Sequence, residues 1–132
     1  MRLIALHIYK WQDRKSLSLS TQIDVSSFAY AKRPMYKELI NFLSKEISGQ
    51  TEPATSVTAP LDKLEDCHCY SLTSVDCISA TAVVDKEYHS KYPKAAFVLL
   101  HKLILEFRDH FCELDDPPAY EEVQCDTKLP FL

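Results

Sequence analysis

The stretch RLIALHIYK, Arg2 to Lys10, is apolar at both parities of an extended chain. One face would carry Leu3, Ala5 and Tyr9, and the other would carry Ile4, Leu6 and Ile8. A strand that is apolar on both faces is typical of a sheet covered on both sides, whereas a half-solvated strand alternates apolar and polar residues. This stretch therefore predicts an interior strand of a sheet that lies between two other layers.

A second strand follows the polar connector at residues 12–15. In SLSLS, Ser16 to Ser20, two leucines alternate with serines. This alternation predicts that Leu17 and Leu19 point inward and the serines point to solvent. We expect this strand to form a hairpin with the first.

Three later segments also predict strands. Thr55–Ala59 is an edge-strand candidate, because Pro53 and Pro60 are tolerable only at an edge or an end. CHCYSLT (Cys67–Thr73) and CISATAVVD (Cys77–Asp85) are separated by the three residues Ser74-Val75-Asp76, which predicts a hairpin.

Two helices are predicted from apolar spacing and from their end signals. The first lies within DVSSFAYAKRPMYKELINFLSKEI, Asp24–Ile47; it begins near Pro34 and ends at Gly49, the one glycine of the chain, in a left-handed cap. The second runs from Pro93 to about Phe111. The order of elements predicts an α+β domain with a mainly antiparallel sheet and helices packed on it.

Composition limits the class of protein. The chain has 132 residues, 46% hydrophobic and 26% charged, which is typical of one globular domain that folds without metal or disulfides. Five cysteines, an odd count, and no secretory signal favour a reducing, cytosolic setting. No apolar run is long enough to span a bilayer. The net charge of −4 gives no basic field to attract nucleic acid, and Lys and Arg are scattered, so we expect no nucleic-acid partner.

The first helix carries more apolar residues than one packed face requires. On a helical wheel Leu39 and Leu43 lie near the centre of the apolar arc, and Met35 and Phe42 widen it to roughly 160°, against roughly 100° for packing on one sheet. Two interpretations are open for Met35 and Phe42. They lie under the segment 50–60 or against an edge strand, or they line a groove for a ligand or partner.

The second helix leaves Val98 and Leu105 isolated on its polar face. Two such residues are either ordinary exposed residues or a weak second contact site.

Nothing in the sequence predicts catalysis. The cluster Cys67-His68-Cys69 has too few ligands for zinc, and His68 points away from both cysteines on a strand. One glycine cannot form a phosphate-binding loop. We expect no enzyme activity, no metal and no cofactor. The motif PPAY, Pro117–Tyr120, is read as linker sequence or as a ligand of an aromatic-grooved WW module.

Three separated motifs resemble longin domains, most closely those of the prenyl- and palmitoyl-anchored R-SNAREs (the YKT family). They are DVSSFAYAKR before helix one, VVDKEY at the last strand, and YPKAAFVLLHKLILEF in helix two. The resemblance implies a profilin-like fold, with a five-stranded sheet between helices and a groove beside helix one. It places Phe42 at the position of the groove aromatic. In this chain residues 89–92 (His89 to Tyr92) intervene before Pro93, where the family passes directly into proline.

The function that the resemblance implies is a regulatory longin domain, residues 1–112, followed by a linker-like tail, residues 113–132, without a SNARE motif. Its groove, formed by Met35, Leu39, Phe42 and Leu43, would bind its own SNARE segment, a partner SNARE or trafficking protein, or a lipid acyl chain. This binding would control membrane fusion or sorting. The protein would be cytoplasmic and peripheral to endomembranes, with membrane association only through segments absent from this chain. The alternative is a small structural subunit of a tethering or adaptor complex, and a truncated SNARE and a stand-alone longin protein are both open.

Overall fold

A computed structural model of the protein describes residues 3–26 and 28–111. Short 3₁₀ turns precede α1 and follow β3. The regular elements in chain order are β1 (Leu3–Gln12), β2 (Lys15–Ile23), α1 (Arg33–Gln50), β3 (Thr55–Leu61), β4 (Cys67–Thr73), β5 (Ile78–Val84), α2 (Lys86–Lys91) and α3 (Pro93–Phe111). The predicted tail, residues 113–132, and its PPAY motif lie outside the described residues.

The five strands form one sheet in the order β2-β1-β5-β4-β3, and every neighbouring pair is antiparallel. α1 carries the chain from β2 at one edge of the sheet to β3 at the other. The predicted α+β fold, an antiparallel five-stranded sheet packed between helices, is confirmed. β1 lies between β2 and β5, so the interior position inferred from its two apolar faces is also confirmed.

Each face of the sheet has its own core. On one face α3 packs on the sheet through a cluster that contains Leu6, Ile8 and Leu19. On the other face α1 packs through a cluster that contains Ile4 and Ala5. Ile4 was predicted to share a face with Leu6 and Ile8, and this is wrong because the β1–β5 register shifts between residues 3 and 5.

The predicted orientation of β2 is only partly correct. Leu19 is buried, but Leu17 is 36% exposed, and Ser16 and Ser20 are buried. The serine face is not solvated at Ser16, because α1 covers it and Ser48 accepts a 2.8 Å hydrogen bond from the Ser16 hydroxyl. A register shift against β1 brings Ser20 into the buried part of the strand beside Leu19.

α1 begins beside Pro34, as predicted, but the prediction that Gly49 forms a left-handed cap is wrong. Gly49 is still helical, and it does not have a positive φ. A Cβ at this position would lie 2.7 Å from the backbone oxygen of Arg14 in the β1–β2 turn. Glycine is therefore required for close approach of the end of α1 to this turn, not for a left-handed cap.

The predicted strands at residues 67–73 and 77–85 and the helix from Pro93 are confirmed to within a residue, and the edge strand extends to Leu61. The sequence interpretation missed α2. Asp85 caps this helix, because its carboxylate accepts a 2.8 Å hydrogen bond from the Tyr88 amide. Most of the inserted residues 89–92 belong to α2. In the part of the chain that the structure describes, no helix has both the length and the apolar character needed to cross a bilayer.

Candidate functional site

The buried face of α1 is centred on Ile40, which is fully buried, with Tyr36 one turn before it and Ser44 one turn after it. Leu39 and Leu43 are half-buried at the edge of the core. The expectation that these two leucines lie nearest the centre is wrong. The wheel counted apolar residues alone, whereas the structure also buries the serines of α1 against the sheet.

Met35 and Phe42 project from the same flank of α1 and are 57% and 61% exposed. The interpretation that they are buried under residues 50–60 or against an edge strand is therefore wrong. That they bind a ligand or partner stays a prediction.

The flank of α1 that carries these residues faces the β3 side of the sheet. α1 lies over β2, β1, β5 and β4, so the face of β3 is the part of the sheet that it covers least. Ala59 of β3 pairs with Cys69, which lies in the core beneath α1, so Ala59 and Val57 point to the α1 side. Val57 is 37% exposed. We use the name α1–β3 groove for the apolar residues on this flank of α1 and on the same side of β3, which are Met35, Leu39, Phe42, Leu43, Val57 and Ala59.

The opposite flank of α1 borders a polar cleft of about 610 Å³, which the sequence interpretation missed. Lys37, Asn41 and Lys45 form its helical wall. The remaining lining residues come from β1 and β2, and they are Tyr9, Ser18, Thr21, Gln22 and Ile23. We call this the α1–β2 cleft. The spacing of Lys37, Asn41 and Lys45 was a visible signal, but the partner strand became known only from the fold.

Buried hydroxyl groups join the second half of α1 to the sheet. The Ser48 hydroxyl donates to Ser79 at 2.6 Å and accepts from Ser16 at 2.8 Å. The Thr51 hydroxyl lies 2.9 Å from that of Ser71. Buried hydroxyl groups need such partners, so this network fixes the position of α1 more specifically than apolar contacts would.

His7 is the one buried imidazole beneath α1 in the described residues. Its Nε2 lies 3.1 Å from the Asn41 side-chain oxygen, and its ring stacks on Tyr9 with 5.5 Å between centroids. Its Nδ1 has no hydrogen-bond partner among the described residues. Burial lowers the pKa of His7 to about 4, against the opposing effect of the Asn41 contact.

A pair of stacked imidazoles lies on the opposite face of the sheet. His68 of β4 stacks on His89 of α2 with 3.5 Å between ring centroids, and the Tyr70 hydroxyl contacts the His89 Nδ1. The pKa of His68 is lowered, mainly by burial and to a smaller extent by the charge of the neighbouring His89. The inserted residues therefore attach α2 to the sheet.

The cysteines beside His68 behave as small core residues. Cys67 and Cys69 lie in the α1-side core, and burial raises the pKa of each thiol to about 12. His68 points to the other face of the sheet, as the sequence predicts. A Cys–His nucleophile pair cannot form from residues on opposite faces.

Val98 and Leu105, the predicted second contact, are 57% and 44% exposed on α3. They lie on the face of α3 that points away from the sheet. Their role in binding stays a prediction.

A comparison of the chain with models of known protein families finds no match. The longin resemblance therefore rests on the sequence motifs and stays a prediction. In the ranges 3–26 and 28–111, no group of three or more His, Cys, Asp or Glu side chains is arranged to hold a metal ion.

Proposed function

We propose that this chain is a non-catalytic longin-type regulatory domain of vesicle trafficking, and that it binds an apolar helix or a lipid acyl chain in the α1–β3 groove. The observation that carries the proposal is the exposure of Phe42 and Met35 on the flank of α1 that also carries two half-buried leucines. Isolated exposed apolar residues are common, but exposed apolar residues that share one flank of a helix with half-buried leucines are typical of a binding surface.

The chemistry of the groove suits an apolar occupant. Leu39, Leu43 and Ala59 are half-buried and supply an apolar base, and Phe42 and Val57 flank it. Covering a phenylalanine with an apolar ligand contributes roughly 2 to 3 kcal/mol. An amphipathic SNARE helix would present the same chemistry as an acyl chain.

The proposed mechanism is competitive occupancy. When the chain's own downstream segment or acyl group fills the groove, a partner cannot bind there, and the affinity difference between the two occupants sets the bound population. Regulation of this kind needs no catalytic group.

Phe42→Glu is expected to weaken binding of a fluorescent acyl-chain probe, or of a SNARE-motif peptide, by at least about 30-fold, the equivalent of ~2 kcal/mol. Because Phe42 is exposed, the variant should melt near the wild-type temperature. Ile40→Ala is the core reference, since Ile40 is fully buried, and it should lose about 2 to 5 kcal/mol of stability.

Val98→Glu is the matched surface control, because Val98 is almost as exposed as Phe42 but lies on the other helix. It should leave probe binding unchanged. Normal melting and normal binding in Phe42→Glu would refute the groove. A loss of binding in Val98→Glu alone would move the site to α3.

The alternative, a small structural subunit of a tethering or adaptor complex, is favoured by one observation. Apolar residues are exposed on both helical layers, at Met35 and Phe42 on α1 and at Val98 and Leu105 on α3. A subunit embedded in an assembly would use both surfaces at once. Loss of one stable partner complex in both Phe42→Glu and Val98→Glu, without binding of either probe, would favour this alternative.

A further inference from the structure

The helical wall of the α1–β2 cleft is a row of three polar side chains. Lys37, Asn41 and Lys45 follow one another at intervals of four residues, and all three are exposed. A rise of 1.5 Å per residue places the two lysines about 12 Å apart along the helix, with the amide midway. The row therefore presents two positive charges separated by one uncharged hydrogen-bonding group.

The rest of the cleft does not neutralise these charges. Its strand side carries the Ser18 and Thr21 hydroxyl groups, and no acidic residue lines it. Among the described residues neither Lys37 nor Lys45 forms a salt bridge. The site suits an elongated ligand with two carboxylates about 12 Å apart along the helix.

The chain itself contains a segment with this pattern. Glu122, Gln124 and Asp126 alternate in EVQCD, and between residues 113 and 132 six acidic residues accompany one lysine. In an extended chain alternate residues share a face, and the first and last of these three would be about 13 Å apart. We propose that Glu122–Asp126 binds in the α1–β2 cleft as an extended segment. Its two carboxylates would face Lys45 and Lys37, and the Gln124 amide would face Asn41.

The C-terminal end of the described residues lies at the end of the sheet from which the α1–β2 cleft can be reached. Arg108, in the last turn of α3, pairs with Asp76 in the β4–β5 turn. The Trp11 amide donates to Cys77 in the same turn at 2.8 Å, and the Trp11 indole donates to the Gly49 carbonyl at 2.9 Å. α3 therefore ends at the same end of the sheet as α1 ends and β2 begins.

The connecting length is sufficient. Residues 112–121 can span up to about 33 Å when extended. Passing from the α3 face to the α1 face requires two strand spacings of about 4.8 Å and two layer spacings of about 10 Å, about 30 Å in all. The segment can therefore enter the cleft at Lys45 and run toward Lys37.

The contact would be intramolecular and electrostatic. Tethering gives the segment an effective concentration in the millimolar range, so individually weak ion pairs suffice to populate the bound form. Added salt should weaken it, because both lysines are exposed to solvent. The cleft and the α1–β3 groove lie on opposite flanks of α1, so this inference does not depend on the proposed function.

The test uses the full chain with a nitroxide label on Cys125, whose side chain would point away from the cleft by alternation. Cys77→Ser and Cys112→Ser remove competing thiols, and Cys67 and Cys69 are buried. Amide NMR signals are compared with the label oxidised and reduced. We expect selective broadening along β2 and the lysine flank of α1, and a return of intensity in 0.5 M salt, where screening is stronger, on the order of a 4 Å Debye length.

Charge reversal then tests the pairing. Lys37→Glu with Lys45→Glu should abolish the selective broadening, and so should Glu122→Lys with Asp126→Lys. Combining all four substitutions should restore it, because the signs are complementary again. A variant that failed to fold would be recognised from its amide spectrum, and the variant reversed only at Glu122 and Asp126 leaves residues 3–111 unchanged.

The control reverses Lys94 and Lys102, two exposed lysines of α3, and should leave the broadening unchanged. Broadening centred on β3, uniform broadening, or broadening that survives reversal at Lys37 and Lys45 would each overturn the inference. Broadening that appears only between labelled and unlabelled copies would assign the contact to a second copy and would also overturn it.

Discussion

Replacement of His7 should change how the stability of the protein depends on pH. The side chain is 1% exposed, and burial lowers its pKa from 6.5 to about 4. Below pH 6.5 the unfolded chain takes up a proton that the folded protein excludes, so the free energy of unfolding falls as the pH falls. The slope approaches 1.4 kcal/mol per pH unit until the folded pKa is reached. Between pH 7 and pH 5 the loss from His7 alone is about 2 kcal/mol.

The measurement is urea unfolding of wild type and His7→Leu at pH 7, 6 and 5. Leucine is similar in size and cannot be protonated, and the partner Asn41 is exposed and can bond to water. The wild type should lose about 2 kcal/mol more than the variant from pH 7 to pH 5. His101→Gln, on the exposed side of α3, is the control and should follow the wild-type curve. Parallel curves for wild type and His7→Leu would mean that His7 binds its proton equally in both states, and the reasoning from burial would fail.

Two further substitutions test the corrected helix ends. Gly49→Ala should destabilise the fold by up to about 2 kcal/mol in urea unfolding, because the cost of overpacking against the Arg14 carbonyl exceeds the gain in helix propensity from alanine. Gln50→Ala, at the exposed neighbouring position, is the control and should change stability little. Equal stability of the two variants would contradict the close approach. Asp85→Ala should cost about 0.5 to 2 kcal/mol through the lost cap on the Tyr88 amide. Amide hydrogen exchange should then become faster in α2 while the strands stay protected. Unchanged protection of α2 would refute the capping role.

Local periodicity determined most of the framework of this protein. The two apolar faces of Arg2–Lys10 predicted an interior strand, and Pro34 and Pro93 marked the starts of α1 and α3. These signals are reliable because proline geometry and side-chain alternation act within a few residues. The same signals predicted that His68 points away from its neighbouring cysteines.

Longer-range contacts decided the parts that the sequence misassigned. Ser16 and Ser48 look like solvent-facing residues, yet they are buried against each other across 32 positions of the chain. Gly49 resembles a helix cap in the sequence, but glycine is required there because the Arg14 carbonyl leaves no room for a Cβ. A polar residue is placed inside a protein when a distant partner satisfies its hydrogen bond, and the partner cannot be read from local spacing.

The candidate sites show the same division. The sequence identified Phe42 as a surplus apolar residue on α1, because the width of an apolar arc is a local property. It could not show that one flank of α1 lies beside β3 and the other beside β2, since that depends on how the helix crosses the sheet. Lys37 and Lys45 were visible as two charges, but only the tertiary structure placed them together over the β2 hydroxyl groups. Periodicity shows which face of an element is apolar, and the packing of distant elements decides what each face meets.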